Sequence, residues 1–162
     1  MAISREILSQ IMFDFSTGPD TEVLNVGQDD PFWEWFLENA NRYSPCEYLD
    51  SLYSDNHALP GNCFGNSQGV ALQEGIDYCE GFCRVQENFI FHGFNIFDNC
   101  VIDSTVQSNP NNFVDGNNIL PNEYYGVIIP ANLIENVPNG NSDVNYINRQ
   151  SKLYDYFLNA EA

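Results

Sequence analysis

Positive charge is scarce in this sequence. Lysine and arginine together number 5, against 23 aspartates and glutamates, which gives a formal net charge of −18 over 162 residues. Contact with a nucleic-acid backbone or an anionic membrane surface requires cations, so we expect neither kind of binding. The excess of carboxylates favours solubility. It also leaves open the attraction of a basic partner, or mimicry of a nucleic acid by an acidic surface.

Long apolar runs and familiar metal-ligand spacings are also missing. A membrane-spanning helix needs ~20 consecutive apolar residues, and no stretch of the chain approaches that length. Cys79 and Cys83 lie four residues apart without a second Cys or His pair to complete a zinc site. We therefore expect no transmembrane helix, no metal and no cofactor.

The cysteine count is odd, and the first residues do not resemble a secretory signal. The five cysteines are Cys46, Cys63, Cys79, Cys83 and Cys100. The N-terminus has no basic segment followed by an apolar stretch of signal-peptide length. Together these features predict thiols in a reducing cytoplasm, that of the host if the gene is phage-encoded, and argue against a disulfide framework.

Apolar residues make up 43% of the chain and aromatic residues 14%, enough for the core of one domain. Helical spacing predicts helices over residues 3–13, 31–43, 63–73, 131–136 and 143–160. Strand-type runs cover residues 78–85, 89–97, 100–106 and 124–129. This order predicts an α+β fold with an antiparallel sheet. We expect one domain over 1–162, with a helical N-terminal part (1–58), a core (59–130) and a helical C-terminal part (131–162).

Cys63, His92 and Asp103 form a candidate catalytic group. A thiol nucleophile needs a base to take its proton and a third group to orient that base. Cys63 opens a predicted helix, and the positive end of a helix favours the thiolate form. If Asp98 and Asn99 form a two-residue turn, His92 lies diagonal to Asp103 on one sheet face. A longer turn would change the face, and another acceptor such as Asn95 would then orient His92.

Four short motifs in this region carry a resemblance to a known family. They are Gly-Asn-Cys-Phe-Gly-Asn-Ser at 61–67, Tyr-Cys-Glu-Gly-Phe at 78–82, His-Gly-Phe-Asn-Ile at 92–96 and Val-Ile-Asp-Ser-Thr at 101–105. Over residues 59–130 the chain resembles small bacterial and phage proteins with the pattern CF-x-NA … Y-x-EG … H-x-W … V-x-D-x-T. That group is similar in turn to the papain-like and transglutaminase-like cysteine hydrolase core.

The resemblance implies an antiparallel sheet packed against a helix that carries the cysteine at its N-terminus, with flanking N- and C-terminal helices. It implies a hydrolase or acyltransferase of the thiol peptidase, amidase or deamidase type, acting on an amide or ester bond. Catalysis would use Cys63, His92 and Asp103, with the sulfur within about 3–4 Å of the imidazole. Phe94 stands where the family pattern has Trp. Peptides, isopeptides, glutamine side chains and peptidoglycan amides are all possible substrates.

The oxyanion-binding groups are less well defined than the triad. No Gln precedes Cys63 at the position where papain-like enzymes carry a side-chain donor, so the backbone N–H of Cys63 is the default donor. Oxyanion or substrate contacts could also come from Asn62, Asn66, His57 and Glu80. The simpler interpretation is that Asn66 caps or braces the start of the helix and that Glu80 is an exposed carboxylate on its strand.

Two alternatives concern the whole protein and one loop. The chain could be a non-enzymatic acidic binding or inhibitor protein of a phage or bacterium, a nucleic-acid mimic or decoy with an inert papain-like fold. A structural virion protein is a third possibility. Residues 107–123 are rich in Asn, Pro and Gly and predict a long loop. That loop is either a surface insertion or a lid over the site, anchored by Phe113.

Overall fold

The computed structural model describes residues 3–18, 21, 23–46, 63–108, 121–134 and 150–161. The helices are α1 (Arg5–Thr17), α2 (Phe32–Asn39), α3 (Cys63–Glu74), α4 (Ser104–Ser108) and α5 (Leu153–Glu161). The strands are β1 (Asn41–Tyr43), β2 (Asp77–Val85), β3 (Asn88–Phe97), β4 (Cys100–Ile102) and β5 (Glu123–Ile129). The α+β prediction is confirmed. Within the described ranges, no helix combines the length and apolar character that crossing a membrane would require.

The strands form one antiparallel sheet in the order β1-β5-β2-β3-β4. Phe97 pairs with Cys100 and Asn95 with Ile102, which confirms the predicted register between β3 and β4. Asp98 and Asn99 form the connecting turn with φ of 52° and 64°, the left-handed conformation that a tight hairpin favours. This register is what brings the end of β4 towards His92.

The sheet curls until its two edges meet. The residues that follow β1 bond to β4 at the opposite edge: Val101 N–H donates to Ser44 O at 2.9 Å, and Cys46 N–H to Val101 O at 3.0 Å. A disulfide joins Cys46 and Cys100 beside this seam, whereas Cys63, Cys79 and Cys83 are not part of a disulfide. The expectation of thiols alone is therefore wrong. The bonded cysteines are 54 positions apart, and no local pattern connects them.

Curling gives the sheet two buried faces. The inner core lies within the curl and consists of Tyr43, Cys79, Cys83, Val85, Phe94, Ile96, Val101 and Tyr124. The helix-side core packs the other face against α1, α2 and α5, with Phe15, Trp33, Phe36, Phe82 and Phe157 among its aromatic members. Because side chains alternate along each strand, neighbouring residues enter different cores.

Two predicted elements end early, one at a local helix cap and the other at a strand pairing. The strand predicted over 100–106 stops at Ile102, since Asp103 caps α4 by accepting the Val106 N–H with Oδ1 at 3.3 Å. The helix predicted over 31–43 stops at Asn39. Tyr43, whose spacing fitted the helix, instead pairs with Tyr124 and lies in the inner core.

The remaining helices differ from prediction at their ends. The first continues to Thr17, and the segment predicted as a helix over 131–136 is a single 3-10 turn at Ala131–Leu133. The last begins at Leu153, not at 143, and residues 143–149 lie outside the described residues. Most of the predicted loop 107–123, with Phe113, also lies outside them.

Replacing Gly81 by Ala should test the tight pairing of β2 with β5. A Cβ atom on Gly81 would lie 1.9 Å from the Tyr125 carbonyl oxygen and 2.5 Å from Gly126 Cα, so the backbone must move. We expect Gly81→Ala to lower the free energy of unfolding by about 3 kcal/mol or more in urea denaturation.

Gly27→Ala is the matched control, because a Cβ at Gly27 would meet nothing within 4 Å. Its unfolding free energy should stay within about 0.5 kcal/mol of the unmodified protein. Equal midpoints for the two variants would show that β2 and β5 do not approach so closely.

Candidate active site

His92 and Asp103 are in direct contact inside the protein. Nε2 of His92 lies 2.7 Å from Oδ2 of Asp103, and the two residues are only 2% and 4% exposed. His92 comes from the middle of β3, whereas Asp103 is the residue between β4 and α4. The contact follows from the β3–β4 register, and the predicted meeting of these two side chains is confirmed.

Asp103 is held by groups from three other elements. Besides His92, the Val106 N–H of α4 donates to Oδ1, and the Tyr124 hydroxyl of β5 donates to Oδ2 at 2.8 Å. Neither of these two contacts was predicted from the sequence. The Asp-Ser-Thr sequence at 103–105 could have suggested a helix cap. No sequence signal pointed to Tyr124, because β5 borders β1 and β2 and does not border β4.

The surroundings of His92 favour its charged form. Its ring stacks on Phe94 with 6.2 Å between centroids and lies 6.4 Å from the ring of Tyr124. Burial alone lowers the pKa of His92, but the Asp103 carboxylate opposes burial, as do the Cys83 and Cys63 side chains in their thiolate form, and the pKa of His92 is raised well above its ordinary value. A proton arriving at His92 is therefore stabilised as an imidazolium paired with Asp103.

The first turn of α3 packs against β3 at Gly93, on the opposite side of the strand from the His92 side chain. Gly93 follows His92, and a Cβ atom there would lie 2.9 Å from Phe64 Cδ1 and 3.4 Å from the Cys63 carbonyl oxygen. Glycine thus allows the helix to approach β3 closely. The Ser67 hydroxyl then donates to Gly93 O at 3.0 Å and fixes the helix along the strand. Cys63 is the first residue of α3 and is partly exposed. Its hydrogen bond to His92 stays a prediction.

A second thiol, that of Cys83, also interacts electrostatically with His92. Cys83 lies in the inner core on the same sheet face as His92 and is 0% exposed. The sequence analysis treated Cys83 only as a core residue. Because substrate cannot reach a fully enclosed sulfur, the partly exposed Cys63 is the better candidate for a nucleophile.

Asn66 joins two elements around the site. Its Nδ2 donates to Oγ1 of Thr105 at 2.8 Å, which fastens α3 to α4 next to Asp103. The bracing role considered from the sequence is therefore present. His57 and Asn62, the other polar candidates near Cys63, lie outside the described residues.

Glu80 has a structural environment that the sequence analysis did not anticipate. It is 0% exposed, and its carboxylate accepts hydrogen bonds from the Tyr78 hydroxyl, the Ser151 hydroxyl and the N–H groups of Lys152 and Leu153. Burial raises the pKa of Glu80, and these hydrogen bonds partly oppose the rise. Glu80 thus holds the N-terminus of α5, which explains why that helix begins at Leu153, and it is not an exposed strand residue.

Among the described residues, no three His, Cys, Asp or Glu side chains gather in a way that could hold a metal ion.

No family model matches this chain, and comparison with curated proteins and with solved structures gave no significant match.

The charge on His92 gives a prediction about pH. The pKa of His92 in the folded protein is raised above its value of about 6.5 in the unfolded chain. The His92–Asp103 pair therefore makes its full contribution to the free energy of unfolding below about pH 6.5. This contribution is lost as the pH rises through the pKa of His92 in the folded protein. Asp103→Asn should lower the pKa of His92 measured by NMR titration. The loss of unfolding free energy in this variant should be greatest near pH 6 and should shrink at higher pH.

Asn is also a good helix N-cap, so Asp103→Asn should preserve α4 while it removes the charge. An unchanged His92 titration midpoint in this variant would contradict the electrostatic role given to Asp103.

Proposed function

We propose that this protein is a cysteine-dependent hydrolase or acyltransferase acting on an amide or ester bond. In this proposal Cys63 is the nucleophile, His92 the general base and acid, and Asp103 the group that orients His92. The main support is the buried 2.7 Å contact between His92 Nε2 and Asp103 Oδ2. The first turn of α3 packs against Gly93, the residue after His92. That turn begins with the partly exposed Cys63.

The first half of the reaction transfers an acyl group to sulfur. The Cys63 thiol gives its proton to Nδ1 of His92, because Nε2 is directed at Asp103. The sulfur then attacks the carbonyl carbon, and the carbonyl oxygen takes up the negative charge. When the tetrahedral intermediate collapses, the bond to the leaving nitrogen or oxygen breaks, and His92 gives that atom its proton. A thioester on Cys63 remains.

The second half releases the acyl group. His92 accepts a proton from water, the resulting hydroxide adds to the thioester, and the carboxylic acid leaves as the thiol is restored. An amine in place of water gives acyl transfer. The first N–H groups of a helix have no partner within the helix, so the backbone N–H of Cys63 is suited to bind the oxyanion. Asn62 and His57 are proposed as further contributors.

The order of the elements supports a papain-like or transglutaminase-like core. A helix that begins with the cysteine precedes antiparallel strands; the histidine comes from β3, and the aspartate directly follows β4, the next strand along the chain. This is the arrangement that the sequence resemblance implies. A cytoplasmic location remains part of the proposal, although a disulfide such as Cys46–Cys100 is more typical of oxidising compartments.

The acidic surface favours basic partners under either functional hypothesis. Arg5 is bound to Glu34 at 2.9 Å, and Arg84 lies 3.7 Å from Glu123. Two of the five lysine and arginine side chains are therefore already paired with carboxylates. An acidic binding protein with an inert site is therefore the second candidate function. A nucleic acid or a membrane is not a proposed partner, since both are anionic.

Alkylation separates the two candidate functions. If His92 assists Cys63, iodoacetamide at neutral pH should label Cys63 faster in the folded protein than in the same protein unfolded in urea. Cys63→Ala should abolish this labelling, and His92→Gln should slow it by about tenfold or more. Peptide mapping by mass spectrometry identifies the labelled residue, and circular dichroism checks that each variant folds.

Cys79→Ala is the matched control, because Cys79 is a buried thiol on β2 that is not among the groups acting on His92. It should leave the labelling of Cys63 unchanged. A rate for folded Cys63 no higher than for the unfolded chain would reject the enzyme hypothesis and favour the acidic binding protein.

Charged thiol reagents test the preference for basic partners. Each reagent's rate with Cys63 is divided by its rate with a small free thiol, because a thiolate itself favours a cationic reagent. The normalised rate of a trimethylammonium methanethiosulfonate should be at least about tenfold that of a sulfonate methanethiosulfonate at low salt, because the net charge of −18 attracts cations. The difference should shrink as salt is added. Equal normalised rates at low salt would show that the acidic surface does not act at this site.

A further inference from the structure

Tyr124 shares an oxygen of Asp103 with His92. Its hydroxyl donates to Oδ2 at 2.8 Å, and the same Oδ2 lies 2.7 Å from His92 Nε2. We propose that Tyr124 is a positioning residue of the site, whose hydroxyl holds the Asp103 carboxylate in the orientation that faces His92. This inference rests on the proposed function, because it assigns Tyr124 a place in that reaction.

Asp103 needs such a support because of where it lies in the chain. It follows the last residue of β4 and precedes α4, so the strand ladder does not fix it. Its other oxygen is held by the Val106 N–H at 3.3 Å, a long hydrogen bond. Rotation of the carboxylate about its last side-chain bond moves both oxygens together, and the long bond from Val106 alone resists it only weakly. The Tyr124 hydroxyl opposes this rotation.

Packing that does not involve Asp103 fixes the position of Tyr124. Its strand is bonded on both sides, where Tyr124 pairs with Tyr43 of β1 and Cys83 of β2. Its ring packs edge-on against Phe94 with 4.8 Å between centroids, and the residue is 2% exposed. The inner core therefore presents the hydroxyl as a rigid donor. Removing the oxygen alone, by Tyr124→Phe, should preserve this packing.

The neighbouring residue offers a matched control. The Tyr125 hydroxyl donates to Oε2 of Glu123 at 2.6 Å, so it also binds a carboxylate. Its ring lies in the helix-side core, on the opposite face of the sheet from Tyr124. Tyr125→Phe therefore removes the same atom and the same kind of hydrogen bond without touching Asp103.

The experiment compares the unmodified full chain with Tyr124→Phe and Tyr125→Phe. NMR titration reports the pKa of His92, and iodoacetamide labelling reports the reactivity of Cys63. We expect Tyr124→Phe to lower the pKa of His92, because Asp103 no longer faces it steadily, and to slow labelling about fivefold. Tyr125→Phe should change neither. Equal results for the two variants, or a higher His92 pKa in Tyr124→Phe, would overturn the proposal.

A double-mutant cycle tests whether Tyr124 acts through Asp103. In an Asp103→Asn background, Tyr124→Phe should no longer change the pKa of His92, and a full additional decrease would overturn the proposal. The NMR results do not depend on catalysis. Ordinary reactivity of Cys63 in the unmodified protein would reject the proposed function, whereas the titrations would still decide whether Tyr124 positions Asp103.

Discussion

The positions of β4, α4 and β5 depend on one interaction, the buried contact between His92 and Asp103. A charged pair removed from water is stable only when the remaining hydrogen-bonding positions of its carboxylate are occupied. Here the Val106 N–H and the Tyr124 hydroxyl occupy them. The strand β4 must therefore end at Ile102, α4 must begin immediately after Asp103, and β5 must bring Tyr124 into the inner core. Changing one of these contacts is expected to affect the others, so their energies should not add.

Close backbone approaches make this arrangement possible. Gly93 lets the first turn of α3 lie against β3 next to His92, and Gly81 lets β2 and β5 pair tightly. The curl of the sheet joins its edges at Val101 and creates the inner core in which His92 is enclosed. Asp103 also links α4 to β5, the elements that precede and follow residues 109–120 in the chain. Each of the two elements donates a hydrogen bond to its carboxylate.

Local signals predicted much of the fold and the central pair of the site. The two-residue turn at Asp98-Asn99 set the β3–β4 register, and from it the contact of His92 with Asp103 followed.

Features that depend on distant partners were not predictable from local sequence patterns. Tyr124 is 21 positions from Asp103, and the bonded cysteines are 54 apart. Ser151, whose hydroxyl binds Glu80, is 71 positions away from it. Glu80 is buried, so the interpretation of it as an exposed strand carboxylate is wrong. Tyr43 fitted a helical stripe, but its pairing with β5 outweighed that local preference.

The central claim is that Cys63, and not Cys83, is the sulfur partner of His92. The most direct measurement is the ¹⁵N resonance of His92 Nδ1 in the unmodified protein, in Cys63→Ala and in Cys83→Ala. The account predicts that removing the Cys63 sulfur shifts this resonance, because Nδ1 loses its hydrogen-bond partner. Removing Cys83 should leave the hydrogen-bonding state of Nδ1 intact. A resonance that shifts in Cys83→Ala but not in Cys63→Ala would make the Cys83 sulfur the partner of Nδ1 and contradict the account.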